Sequence, residues 1–376
     1  MNLALIRRRF SSSGGAELYA HRLMSALVQS GHHIHLFTEG WEGAPEKVTL
    51  HLIRAAQSRS RRAWAFAEAV ERELAASRPM FDCVFSLERT LRQDVLRAGD
   101  GLHRICLRRI LQFTPWWRRC FVGCGRYHRE LLKLEAQTFH PDNTGFIIAN
   151  SEMVRREIIE EHAFPAERIL LVRNGINVAR FQNGNREVMR SRLGLSPDDY
   201  LLLFAGSGWK RKGLQYLLQF MSDSTDCRIK LLVVGKGRAP WRTLSNVIYA
   251  GAMPDIENAY AAADLFVFTP LYDPSANVVF EALAAGLPVV TTVFNGASEM
   301  LEPGVNGTII ENPARLDALS EAIRFWRVRP RRLAPSLTER LSLERNVAET
   351  VRILEMASSQ IRRSKGSAAA GIVTSN

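Results

Sequence analysis

The 376-residue sequence contains no run of about 20 apolar residues, the length a membrane-crossing helix needs. Its apolar opening, Met1 to Ile6, is short and precedes Arg7, Arg8 and Arg9, the reverse of a signal peptide's charge order. A first buried strand of a cytoplasmic protein is expected instead. Cysteine is scarce. The five, Cys83, Cys106, Cys120, Cys124 and Cys227, are odd in number and irregularly spaced, which favours thiols in a reducing compartment. Cys120 and Cys124 have no second Cys or His pair nearby to complete a zinc site, so buried, reduced thiols are expected. No repeat of solenoid length occurs, and no G-x-x-x-x-G-K-[ST] loop. Acidic residues are outnumbered, 38 against 50 Lys and Arg, for a net charge of +12. That excess suits a polyanionic partner: nucleic acid, anionic lipid or a phosphorylated glycan.

What is present suffices for two buried cores: 46% hydrophobic residues with 23% charged, over a length typical of two domains. Leu3 to Ile6 reads as a strand. A Ser11–Gly15 loop follows, then an amphipathic helix carrying Leu18, Leu23, Ala26 and Leu27, ended by Gly31, and a strand from His33 to Phe37. Strand, loop, helix and strand make a βαβ unit and a parallel sheet. Cys83–Phe85, Phe146–Ala149 and Ile169–Val172 extend it. A second series begins at Tyr200–Ala205 and continues through Lys230–Val234, Val247–Tyr249, Leu265–Phe268 and Val289–Thr291. The expected division is an acceptor-binding domain over 1–178, a donor-binding domain over 179–340, a C-terminal helix over 341–359 packing back on the first domain, and a disordered tail over 360–376. Gln182 to Arg186, polar and rich in Asn and Gly, reads as the linker.

Ligands of doubly wound sheets bind at the carboxyl ends of strands, which directs attention to the loops there. Gly206-Ser207-Gly208-Trp209-Lys210-Arg211-Lys212-Gly213 follows one strand and feeds a helix. Its backbone N–H groups and helix dipole favour an anion, and Arg211 and Lys212 add charge for a diphosphate. A second loop runs from Asp273 through Pro274, Ser275, Ala276 and Asn277 into a helix bearing Glu281, expected two turns in. Ser275, Ala276 and Asn277 offer backbone donors at the helix start. Asp273 can accept from sugar hydroxyls and Glu281 can hold a ribose diol. An acid among Val278, Val279, Phe280, Ala282 and Leu283 needs a polar partner.

Asp273-x7-Glu281 with the following Ala-Leu-Ala-Ala-Gly-Leu-Pro-Val resembles the E-x7-E signature of GT4 glycosyltransferases. Arg211-Lys212-Gly213 and Ser13-Gly14-Gly15-Ala16-Glu17 resemble further motifs of that family, in the same order. The resemblance spans residues 3 to 355. Gly31-His32-His33 and Gly40-Trp41-Glu42-Gly43 bring it nearest the members that glucosylate the inner-core heptose of lipopolysaccharide. It implies an α/β fold of GT-B type, two Rossmann-like doubly wound domains facing a central cleft. It also implies a retaining hexosyl transfer from a nucleotide sugar, with UDP-glucose expected, and no metal, the sequence having no D-x-D beside a strand. Lysine and helix termini would then carry the leaving diphosphate. Gly15 would let its loop approach the phosphates without a side chain. Asp100 and His103, in a Gly-flanked loop of the first domain, are the candidates for orienting the hexose or the acceptor hydroxyl, with Glu17 a further one. Asp273 stands where the family has glutamate, one methylene longer. The hexose therefore stays open, and GDP-mannose or UDP-N-acetylglucosamine chemistry in capsule or O-antigen assembly is the alternative.

Residues 103–133 are basic and aromatic. Arg104, Arg108, Arg109, Arg118, Arg119, Arg126, Arg129 and Lys133 alternate with Phe113, Trp116, Trp117, Phe121 and Tyr127. Tryptophan beside arginine suits an anionic membrane interface, and the segment is expected to dock the protein on the inner face of a bacterial inner membrane, where a lipid-linked glycan is presented. Nucleic acid binding fits the same composition, so a non-catalytic binder of membrane or nucleic acid is the rival class. The carboxylates Asp273 and Glu281 beside an anion loop favour the enzyme, and no nucleic-acid partner is expected.

Overall fold

The computed structural model describes residues 1–9, 15–41, 47–55, 58, 60–77, 80–239, 244–329 and 339–373. The chain divides into two compact units. The first comprises Met1–Leu107, Pro115–Arg173 and the chain from Asn346; the second comprises Arg108–Thr114 and Asn174–Arg345.

The first unit is built on seven parallel strands: β1 (Asn2–Ile6), β2 (His33–Thr38), β3 (Val48–Leu52), β4 (Cys83–Ser86), β5 (Gln93–Arg97), β6 (Thr144–Ala149) and β7 (Ile169–Leu171). They lie in the order β3-β2-β1-β4-β5-β6-β7. Helices α1 (Gly15–Gln29), α2 (Arg62–Ser77), α3 (His103–Gln112), α4 (Arg126–Thr138) and α5 (Glu152–His162) connect them. In the second unit, α6 (Val178–Gln182) and α7 (Arg186–Arg192) precede β8 (Tyr200–Ala205), and α8 (Leu214–Asp223), β9 (Ile229–Val234), β10 (Val247–Gly251) and α9 (Ile256–Ala262) follow it. The unit continues with β11 (Leu265–Phe268), α10 (Asn277–Ala284), β12 (Val289–Thr292), β13 (Gly307–Ile310) and α11 (Leu316–Arg327). Its six strands, also parallel, are ordered β10-β9-β8-β11-β12-β13.

Parallel strands are covered on both faces, so they read as continuous apolar runs. Leu3, Leu5, Leu201, Leu202 and Leu203 are fully buried. In each unit the strand order reverses once, between β1 and β4 and between β8 and β11. Diverging connections there leave a crevice at the carboxyl ends, and the loops singled out by sequence leave from those ends.

Three strands escape the apolar reading. β3 is a mostly exposed edge, β5 begins with Gln93 and Asp94, and β13 is only four residues long. Gln93 is tolerated inside because Thr90, the Thr138 carbonyl and Thr144 satisfy its amide. Gln182–Arg186 is no linker. It lies inside the second unit as the turn between α6 and α7, where the Asn185 side chain caps α7 and its N–H donates to Asn258 Oδ1. Asn and Gly serve helix ends as readily as linkers. Residues 360–373 also depart from expectation, continuing the last helix, α12 (Leu343–Val373). A helix once nucleated extends through Arg, Lys and Ala without needing an amphipathic face. Within the first unit, Leu354 and Ala357 of α12 are fully buried and Thr350 Oγ1 meets Tyr19 OH at 3.2 Å. Of the cysteines only Cys83 is buried; Cys106 is half-buried and Cys120, Cys124 and Cys227 are exposed, all as free thiols. Among the described residues no helix is long and apolar enough to cross a membrane.

Candidate active site

The second unit carries the fuller site. β8 ends in a loop that turns through Gly206, Gly208 and Gly213 at positive φ. At Gly213, which caps α8, a Cβ would lie 1.8 Å from the Thr269 carbonyl oxygen, so only glycine allows the loop to lie against the end of β11. Trp209 Nε1 donates to the Gly206 carbonyl (2.9 Å), and the Lys236 N–H donates to Ser207 Oγ (3.1 Å), tying this loop to the one after β9.

Arg211 and Lys212 part company. Arg211 turns to the opposite loop, donating to the Tyr272 carbonyl (2.6 Å) and pairing with Asp273 Oδ2 (3.4 Å). It is therefore a strut between loops, and its charge is already half spent on Asp273. The Lys212 ammonium lies 5.5 Å from the centroid of the Phe268 ring and makes no hydrogen bond among the described residues. Burial pushes its pKa down; Asp273 pulls it up, Arg211 down and Glu281 up. A phosphate docked there would restore the charged form.

The loop after β11 holds the remaining groups. Asp273 is buried, fixed through its N–H to Phe294 O (2.9 Å) and its carbonyl to the Gly296 N–H (2.9 Å). α10 has no side-chain cap; the Val279 N–H donates to the Ala276 carbonyl (3.0 Å), and those of Asn277 and Val278 make no hydrogen bond among the described residues, which suits a ligand. The Ala276 N–H is not among them: Asn295 Oδ1 takes it at 3.2 Å, together with that of Ala297 at 3.1 Å. Ser275 Oγ is buried without a hydrogen-bond partner among the described residues, and the Asn277 side chain is held by Asn174 Nδ2 at 2.8 Å. Glu281 is the fifth residue of α10, one turn in rather than two. Its partner is Tyr260, whose hydroxyl donates to Glu281 Oε2 at 2.7 Å. Burial raises the Glu281 pKa, while Tyr260, Arg180 and Lys212 lower it. Tyr260, Asn295 and Asn174 carried no sequence signal, because their partners are distant along the chain.

In the first unit, Gly15 opens α1, whereas Ser13 and Gly14 lie outside the described residues. The Glu17 side chain lies outside them too. Asp100 is exposed at the turn before α3. His103 begins α3 and is engaged: its Nε2 lies 2.9 Å from His128 Nδ1, the rings stacked at 5.1 Å. Burial, then Arg89 and His128, lower its pKa to about 4, leaving a neutral imidazole. Buried Glu135, unseen in the sequence, accepts the His103 and Arg104 N–H groups and pairs with Arg89 at 3.2 Å, capping α3 from another helix.

The basic, aromatic segment splits. Trp116, Trp117 and Phe121, in a 3₁₀ turn, are 78%, 59% and 80% exposed, and Arg104, Arg108, Arg118 and Arg119 are exposed as well. Phe113 and Arg109 instead pack on Phe294 inside the second unit, at 5.6 and 4.5 Å. Those two are structural, correcting their expected place at a membrane.

A glycine-bent loop with a half-buried lysine, an uncapped helix start and a paired glutamate, on one of two parallel-sheet units, defines a glycosyltransferase of GT-B fold. Residues 13–180 match the model for Glycosyltransferase Family 4, and residues 199–326 that for Glycosyl transferases group 1. The chain belongs to the GT4 glycosyltransferases. It is 24% identical over 353 residues to the lipopolysaccharide glucosyltransferase WaaG of Escherichia coli K12, covering 86% of this chain and 89% of that one. A crystal structure of WaaG superposes with a TM-score of 0.72 at 22% identity, covering 95% of this chain and 98% of the other. Anabaena HepE in complex with UDP and glucose superposes with a TM-score of 0.65 at 16% identity, covering 98% and 100%.

Proposed function

We propose that this glycosyltransferase moves glucose from UDP-glucose, with retention, to a heptose of a lipopolysaccharide inner core at the inner membrane face. The relatedness to WaaG supports the acceptor, and the fold shared with a protein that binds UDP and glucose supports the donor. One observation carries the donor reading. Lys212 is a half-buried ammonium without a hydrogen bond among the described residues, in the same unit as the buried Ser275 hydroxyl, which has no hydrogen-bond partner there, and the start of α10, which has no side-chain cap. A buried hydroxyl without a partner is costly, and a diphosphate would satisfy it, the ammonium and the helix start together. Glu281, oriented by Tyr260, holds the ribose diol, and Asp273, fixed by Arg211, reads the hexose.

Charge developing on the leaving diphosphate is met by Lys212 and the α10 amides, which are in place before reaction. The released phosphate oxygen is the base for the acceptor hydroxyl, with no metal required. His103, neutral and bonded to His128, orients rather than abstracts. The test is thermal stabilisation by UDP and UDP-glucose in EDTA. A ligand at 100 times its Kd adds about 2.7 kcal/mol, and Lys212→Met is expected to abolish the shift. A shift that persists in Lys212→Met, or one that appears only with divalent metal, would overturn the reading.

A further inference from the structure

The first unit carries polar groups at the carboxyl ends of β4 and β5 that the donor reading does not use. Glu88 stands two residues beyond β4. Ser86 holds its backbone: the Ser86 hydroxyl donates to the Glu88 carbonyl (2.7 Å) and accepts the Glu88 N–H (3.2 Å). The carboxylate is used on one side. Oε1 accepts the Arg8 N–H (3.3 Å) and pairs with Arg7 (3.3 Å). Oε2 makes no hydrogen bond or ion pair among the described residues, and the side chain is 19% exposed. One oxygen is thus anchored and the other is open.

Glu88 lines a cavity of about 20 Å³ together with Arg89, Arg97 and Asp100. That volume takes one water or one hydroxyl group, not a whole sugar ring. The Asp100 carboxylate makes no hydrogen bond or ion pair among the described residues. Burial raises the Glu88 pKa, Arg7 lowers it and Asp100 raises it again, so the two carboxylates lie within electrostatic reach of each other. The two guanidinium groups are fixed in direction. Arg89 donates to the Gly101 carbonyl (2.7 Å) and pairs with Glu135 (3.2 Å), and Arg97 stacks over the Tyr19 ring at 4.1 Å. Two carboxylates and two guanidinium groups around one space leave no net charge to draw an ion. A hydroxyl, which donates and accepts at once, meets partners of both kinds.

We propose that Glu88 Oε2, with Asp100 lining the same cavity, accepts a hydroxyl group of a neutral acceptor sugar, which makes Glu88 an acceptor-binding residue of the first unit. The identity of the sugar as acceptor rests on the glycosyltransferase reading; the hydroxyl contact does not. The place suits a ligand, because doubly wound sheets bind at the carboxyl ends of strands beside the switch point, here β1/β4. Glu88 carried no sequence signal, since the Arg8 N–H that anchors it lies 80 residues away.

The experiment uses the full chain in excess UDP, titrated with the methyl glycosides of heptose, mannose and glucose while saturation transfer from protein to sugar is read by NMR. At least one glycoside should bind, and Glu88→Gln should weaken it about tenfold, the effect of losing a hydrogen bond to a charged group. Asp100→Ala, at an exposed position, should weaken the same sugar. Both variants should keep the UDP shift in Tm. Binding of no glycoside to the parent chain, or parent affinity in Glu88→Gln, overturns the proposal. If Glu88→Gln does not fold, Asp100→Ala decides: weakened sugar binding supports the site and unchanged binding overturns it. Calcium or magnesium binding, read by calorimetry and removed by Glu88→Gln, also overturns it, because the cavity then holds a cation. Absence of a UDP shift in the parent chain, with sugar binding present and lost in Glu88→Gln, counts against the donor reading alone.

Discussion

At the scale of single residues, the site is a set of charged groups held where water is scarce. Burial raises the pKa of the Glu281 carboxyl, and the Tyr260 hydrogen bond opposes this while fixing one oxygen. Tyr260→Phe removes that bond without changing the ring's packing. We expect donor KM to rise about 5- to 10-fold, matching about 1–1.5 kcal/mol for a lost hydrogen bond to a carboxylate, with Tm little altered; an unchanged KM would refute it. His103 makes a prediction about pH. Its pKa, about 4 in the fold, is 6.5 for a free imidazole. The unfolded chain therefore binds the extra proton between those values. Its contribution to stability is complete above pH 6.5 and is lost as pH falls toward 4. Urea unfolding of His103→Gln should show a shallower loss across that window than the parent chain; an identical slope would contradict the burial argument.

At the scale of elements, the proposed donor site depends on how α10 begins. Its start is positioned from outside, by Asn295, which is fully buried, accepts from the Ala276 and Ala297 N–H groups and donates to Thr291 Oγ1 at 3.0 Å. Asn295→Ala strands three buried polar partners and is expected to cost about 2–4 kcal/mol of stability, readable as a fall in urea midpoint with weakened UDP binding. A stable protein with normal UDP affinity would show the turn to be held otherwise. The strands and helices around this turn were legible because parallel strands and helix faces announce themselves as apolar runs and periodicity. The Asn295 support was not, because nothing in Phe-Asn-Gly-Ala says which distant amide an asparagine will accept from. The same limit misplaced Gln182–Arg186, whose composition describes a helix cap and a linker equally well.

At the scale of the whole molecule, the net charge of +12 has two destinations. Part is absorbed in pairs such as Arg186 and Arg190 with Asp264, at 2.6 and 3.3 Å. Part is exposed around Trp116, Trp117 and Phe121, where aromatic rings and guanidinium groups stand in solvent together. Each basic residue near an anionic bilayer is worth about 1 kcal/mol. Co-sedimentation with phosphatidylglycerol vesicles is therefore expected, weakened by salt and lost in Trp116→Ser/Trp117→Ser. No binding, or binding that survives the double substitution, removes the docking role.

The sequence by itself determined the two α/β sheets, the order of their loops and the identity of the family, and it singled out the loops that carry Lys212, Asp273, Ser275 and Glu281. These follow from local patterns: burial on both faces of a parallel strand, and glycine or acid at fixed offsets from it. Only the tertiary structure decided which groups are free to act. It showed Arg211 committed to Asp273, the Ala276 amide to Asn295 and His103 to His128, and it left the Lys212 ammonium beside the Phe268 ring without a hydrogen bond among the described residues. The reason is physical: whether a polar group is spent or available depends on neighbours brought close in space, and their separation along the chain carries no trace of that.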